Sequence, residues 1–258
     1  MATGLLGLLT LWTLMVTLRW GPSRVLAYAY LPAILFGFFL PPVSLPGIPN
    51  LTASSAVGYM LPVALLIRRM QNRNQPSAPS TLRLNFIDVV VLLMLLPPAI
   101  AVASNEGVWQ AISQAGDFAF LWILPYFLGR VALADPTARK HTLIVLAISL
   151  GVIGFLAAYE ARMSPYFVAR ELKKMKLSTM IGTGGVLYRF GLARALVTMG
   201  QPIDLGVCGV LAGTMILILT PSAGQRWHNW LPLVGILGAG AMVMCSVSFT
   251  AWLAMASA

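Results

Sequence analysis

The sequence predicts an all-α, polytopic transmembrane helix bundle of about eight spans with one long basic external loop. Three observations carry that prediction. Apolar residues make up 59% of the 258-residue chain and charged residues only 9%, with a mean hydropathy of +0.84, too little polar surface for a water-soluble domain of this length. The apolar runs follow one another closely, each approaching the ~17–25 residues that cross a hydrocarbon core of about 30 Å. Strand-length alternation is missing from those runs, and helices or closed barrels are the only backbones that satisfy their hydrogen bonds in lipid.

Eight runs are predicted as spans: 3–18, 25–40, 51–67, 86–103, 112–130, 142–159, 203–220 and 230–249, the shorter ones needing tilt or local thinning of the bilayer. The first has no basic residue ahead of its apolar core, so a cleaved signal peptide is not expected. Asp88 begins the fourth span, and Asp117 lies near the start of the fifth among Gln114 and Gly116. Both read as helix N-caps, with an intramembrane acid the alternative for Asp117. Arg130 ends the fifth span and reads as a cation reaching out to the interface. Gly200, Gln201 and Pro202 form a turn into the seventh span, where a proline costs nothing because its missing N–H would be unpaired anyway. Asp204 follows, as a charge on the helix dipole or as a catalytic carboxylate. Cys208 and Cys245 fall inside apolar runs and read as small buried hydrophobes, not as a disulfide or a metal pair. The chain reads as a single integral membrane domain, 1–258.

Basic residues fix the orientation. The odd-numbered connections and the ends of their spans hold Arg19, Arg24, Arg68, Arg69, Arg73, Arg83, Arg130, Arg139, Lys140 and Arg226, whereas the first two even-numbered connections hold none. The positive-inside rule makes the odd connections cytoplasmic and the N-terminus external, which in a bacterium is the periplasmic side of the inner membrane. The third even-numbered connection, 160–202, breaks the pattern. It carries Arg162, Arg170, Lys173, Lys174, Lys176, Arg189 and Arg194, and its length exempts it from the charge rule. The formal net charge of +10 then points to anionic membrane lipids, with no nucleic-acid partner expected.

Within that connection Val168, Leu172 and Met175 recur at helical spacing among basic residues over 165–177, which predicts a short amphipathic helix in the head-group plane. Gly182, Gly184 and Gly185 follow. Arg189 and Arg194 come just before re-entry. Their planar, permanently charged forks suit phosphate oxygens, and two of them at the outer mouth of a bundle could grip a pyrophosphate whose lipid tail lies in the bilayer. The plainer alternative is that both reach lipid phosphate. Glu160, at the outer end of the sixth span, could act as a base, orient a sugar hydroxyl, or pair with Arg162. The chain has no P-loop, no His/Cys metal spacing and no Ser–His–Asp set, so no metal or other cofactor is expected. Both histidines, His141 and His228, fall in the odd connections.

Three stretches carry a resemblance: Tyr-Phe-Leu-Gly-Arg at 126–130, Ala-Tyr-Glu-Ala-Arg-Met-Ser-Pro at 158–165, and Tyr-Arg-Phe-Gly-Leu-Ala-Arg-Ala through Met-Gly-Gln-Pro-Ile-Asp-Leu-Gly at 188–206. With its layout of spans, the chain resembles the N-terminal portion of the bacterial O-antigen ligase and O-antigen (exopolysaccharide) polymerase superfamily. The resemblance implies a metal-independent glycosyltransferase of lipid-linked polysaccharide assembly. It would use undecaprenyl-pyrophosphate glycans at the periplasmic face, with Arg189 or Arg194 holding the pyrophosphate. The chain departs from the family at Gln201, where the family turn carries histidine, and at 246–252, which lacks the family's arginine. The resemblance also implies further spans and a second large periplasmic loop bearing the proposed base. The C-terminal half is therefore expected on a continuation or on a separate partner chain, beside other polysaccharide-assembly proteins.

Two competing classes stay open. One is a transporter or flippase for an anionic lipid or sugar, which would be expected to show half-repeats and midplane ionisable pairs. The other is a non-catalytic subunit or truncated remnant.

Overall fold

The computed structural model describes residues 2–37, 43–45, 48–71, 85–163, 167–174, 188–189, 192–193, 195, 197, 202–222 and 230–246. Almost all of them are helical. Among the described residues, four helices are long and apolar enough to cross a membrane: Phe86–Glu106, Val108–Ala134, Pro136–Arg162 and Asp204–Pro221. Three shorter apolar helices, Gly4–Trp20, Ala53–Arg68 and Trp230–Ser246, cover other predicted spans. The remaining predicted span, 25–40, is a composite that the structure describes only as far as residue 37.

In chain order, α1 (Ala2–Trp20) ends at Gly21, whose φ of +89° glycine adopts without penalty; an added Cβ would also lie 2.5 Å from the Arg68 guanidinium. A 3-10 turn (Pro22–Arg24) and a π-helical turn (Leu26–Tyr30) lead into α2 (Leu31–Gly37). Strands β1 (Val43–Leu45) and β2 (Ile48–Leu51) form an antiparallel hairpin before α3 (Ala53–Gln71). The next rod is broken into α4 (Phe86–Leu93) and α5 (Leu96–Glu106), because Pro97 and Pro98 cannot donate back to the carbonyls four residues earlier. Then come α6 (Val108–Phe118), a second π-helical turn (Ala119–Ile123), α7 (Leu124–Ala134) and α8 (Pro136–Arg162). Helix α9 (Phe167–Lys174) and a minimal hairpin, β3 (Tyr188–Arg189) with β4 (Leu192–Ala193), precede α10 (Pro202–Ser222) and α11 (Trp230–Ser246).

The two π-helical turns share a cause. Each is followed by a Leu-Pro pair, Leu31-Pro32 and Leu124-Pro125, and each proline leaves a carbonyl one turn back without its donor. A neighbouring aromatic side chain supplies the missing bond. Trp12 Nε1 donates to the Tyr28 carbonyl at 2.6 Å, and the Tyr30 hydroxyl donates to the carbonyls of Phe120 and Leu121 at 2.7 and 3.1 Å. Lipid offers no substitute donor, so these bonds keep broken helix registers tolerable in a membrane.

Two packed groups meet along α8. In one, α1, α2, α3 and α7 surround Tyr30, Val57, Leu61 and Leu128. In the other, α8, α10 and α11 pack around Leu146, Leu150, Ile153, Leu205, Ile216 and Met242. Glycine allows the second group its close approach. A Cβ on Gly238 would lie 2.2 Å from the Leu150 carbonyl oxygen, and one on Gly154 would lie 2.4 Å from that of Gly238. Ala147 meets Gly235 while Gly154 meets Gly238, so α8 and α11 run parallel; Gly209 meets Met242 and Ile216 meets Gly235, so α10 runs against them.

The molecule therefore has two ends. At one, Arg68 donates to the Thr17 carbonyl at 3.0 Å, Ser23 reaches Asp135 at 3.3 Å, and the Tyr28 hydroxyl meets His141 Nδ1 at 2.6 Å. These bonds gather the first, third and fifth connections, whose basic residues assign them to a common side. The other end, roughly 40 Å along the 27-residue α8, holds the C-termini of α8 and α11 and the N-terminus of α10.

Candidate functional site

The end formed by α8, α10 and α11 is where segment 160–202 leaves and rejoins the bundle. Glu160 sits two residues before the end of α8, in its last turn, with only 1% of its surface exposed. Its Oε1 accepts from the Val168 backbone N–H at 2.9 Å and its Oε2 from the Val197 N–H at 2.8 Å. Val168 is in the first turn of α9, so one carboxylate ties the start of that helix to a point twenty-nine residues further on. Two residues before Val197, the Ala195 N–H donates to the Cys245 carbonyl at 3.1 Å, which attaches the same stretch to α11. Ala195 and Val197 are both buried in the core of this group, and β4 packs on α8.

The sequence candidates fall as follows. Arg189 lies in β3, its backbone paired with Leu192 of β4. Pro202 opens α10, as its tolerance of a missing N–H leads one to expect. Asp204 is exposed in the first turn of α10, where its charge faces the positive end of the helix dipole. Arg194, Gly200 and Gln201 lie outside the described residues, as do Gly182, Gly184, Gly185 and 247–252. The amphipathic helix expected over 165–177 is α9, Phe167–Lys174, with an exposed Lys174–Glu171 pair at 2.7 Å on its surface.

Three readings need correction. Asp117 is not a helix N-cap: it is the last residue but one of α6, and its Oδ1 is buried without a hydrogen-bond partner among the described residues. The N-cap of α4 is Asn85 and not Asp88; the two form a reciprocal capping box, in which each side chain accepts from the other's backbone N–H. Arg130 does not simply reach for the interface, because its guanidinium pairs with Asp88 Oδ2. The Tyr126 hydroxyl donates to Asp88 Oδ1 at 2.8 Å.

This Asp88–Tyr126–Arg130 set went unread in the sequence, although two signals were present. Tyr126 and Arg130 stand four apart and so share a helix face, and Asn-x-x-Asp at 85–88 is a capping-box spacing. All of Asp88's carboxylate oxygens are engaged, at a helix start and not in mid-span, and the set ties α4 to α7. The cysteines are free, and Cys208 and Cys245 pack partly buried against the α8/α10/α11 core.

No protein-family model, no curated protein and no solved structure matches this chain.

Proposed function

We propose that the chain is a glycosyltransferase-like membrane protein of lipid-linked polysaccharide assembly, of the O-antigen ligase or polymerase type. In this reading it spans the bacterial inner membrane about eight times with its N-terminus in the periplasm. The bundle end bearing Glu160 faces the periplasm, and Arg189 and Arg194 bind the pyrophosphate of an undecaprenyl-linked glycan. Their fixed positive charge would stabilise the negative charge that grows on the pyrophosphate as the glycosidic bond breaks.

The observation that supports this reading is the return of segment 160–202 to the bundle. The stretch leading from the two arginines into α10 is fastened at Ala195 and Val197 onto α8 and α11. That end lies the length of α8 away from Arg68, Asp135 and His141, which the charge rule sets on the cytoplasmic side. Cations reaching only for lipid phosphate need no such attachment.

Titration of the detergent-solubilised protein with undecaprenyl diphosphate tests the reading. Arg189→Ala and Arg194→Ala are each expected to weaken binding by about tenfold or more, with a smaller change for the monophosphate. Unchanged affinity in both single variants and in the double variant would remove the reading.

A further inference from the structure

We propose that Glu160 is a positioning residue: its buried carboxylate is a two-armed bracket that sets the arginine-bearing segment at the mouth of the α8/α10/α11 bundle. The consequence for ligand binding rests on the diphosphate reading above; the bracket itself does not.

A buried carboxylate must have its charge offset by donors, and backbone N–H groups serve when the chain is folded to present them. Here both named donors come from the segment: Val168 at the start of α9 and Val197 just ahead of α10. Neither lies in α8 itself, so their only means of reaching Glu160 is for the segment to fold back at two places. Val197 shows that this folding is enforced. Its φ is +46°, the one positive value found at a non-glycine residue among those described, and a β-branched side chain disfavours that region. Such a conformation persists only where the surroundings over-determine it. Its N–H is held by Glu160 and its side chain is fully buried in the core. The Ala195–Cys245 bond holds the same short stretch from the other side.

The geometry requires two acceptor oxygens. Glutamine keeps the shape but presents one acceptor and one donor, so one of the two backbone N–H groups would lose its partner. A residue acting as a base, or binding a sugar hydroxyl, carries no such requirement on the position of Ala195.

The hydrogen bond between Ala195 and Cys245 supplies the test, because backbones that close bring Cα atoms within the ~4.4–6.8 Å range of a disulfide. In a Cys208→Ser background, Ala195→Cys is oxidised in membranes and the yield of its bond to Cys245 is read by mass spectrometry. Adding Glu160→Gln is expected to lower that yield by about tenfold, the factor that a lost bond to a charged group carries. Val168→Pro, which deletes one donor in a first helical turn where proline is accommodated, is expected to lower it by a smaller factor. Undecaprenyl diphosphate binding, lost in Glu160→Gln, is expected to return once the 195–245 disulfide has formed.

Cross-linking that is unchanged in Glu160→Gln and Val168→Pro alike overturns the bracket. A reduced yield with no return of binding in the oxidised variant also overturns it, since Glu160 would then act on the ligand directly. If the parent protein itself binds no diphosphate, the functional reading falls and the cross-linking yields alone decide the bracket.

Discussion

Helices Pro136–Arg162 and Phe86–Glu106 are about equally apolar, yet half of the most apolar stretch of the first is buried within the protein and only 6% of the second. The difference lies in small residues. Helix α8 presents Ala147, Gly151 and Gly154 toward α11, which answers with Gly235 and Gly238, so backbones touch. Helices α4 and α5 present Phe86, Ile87, Leu93, Leu96 and Ile100 outward, where lipid suits them as well as protein would. Hydropathy reports that a segment belongs in a membrane; the spacing of small residues reports which neighbour it keeps.

The comparison can be broken most severely at Gly238. Gly238→Leu drives a side chain into the Leu150 backbone, and its expected cost is about 3 kcal/mol or more, read as loss of the folded fraction in detergent. Leu150→Ala leaves a cavity in the same group at an expected cost of about 2–3 kcal/mol, measured by denaturant or steric-trap unfolding. Next comes the tie between the loosely packed rod and the rest. Asp88→Asn is expected to raise hydrogen exchange in α4 while leaving α8 unchanged. In a double-mutant cycle with Arg130→Gln, the second change is expected to add little to the first. Smallest is Ile100→Ala, which faces outward and is expected to shift stability by less than about 0.5 kcal/mol. A large effect at Ile100 would show that its own side chain meets a protein neighbour, as the buried side chains of α8 do.

The helical class and the placement of the long apolar segments were legible from composition and run length, because a bilayer allows so few backbone solutions. Helix α9 was legible from Val168 and its spacing, and the start of α10 from Pro202. What the sequence concealed depends on partners distant in the chain. Asp88 and Arg130 are forty-two residues apart and looked like separate helix ends, although Tyr126 and Arg130 shared a face. The spans 25–40 and 112–130 were read straight through the prolines at 32 and 125, and nothing local to those prolines announces that Trp12 and Tyr30 supply the missing bonds. Glu160 was legible as a carboxylate at a helix end. Its backbone partners were not, since any residue can offer an N–H and Val197's unusual φ leaves no trace in its side-chain type.

The account depends on Glu160, Cys245 and the segment between Arg189 and Pro202 sharing the outer face, opposite Arg68 and Lys140. The most direct test is labelling of intact cells with a membrane-impermeant maleimide, using Arg194→Cys and Lys140→Cys in a background without native cysteines. Labelling of residue 194 in intact cells, and of residue 140 only after permeabilisation, is the result the account requires. Labelling of residue 140 in intact cells, with residue 194 reached only after permeabilisation, would contradict it.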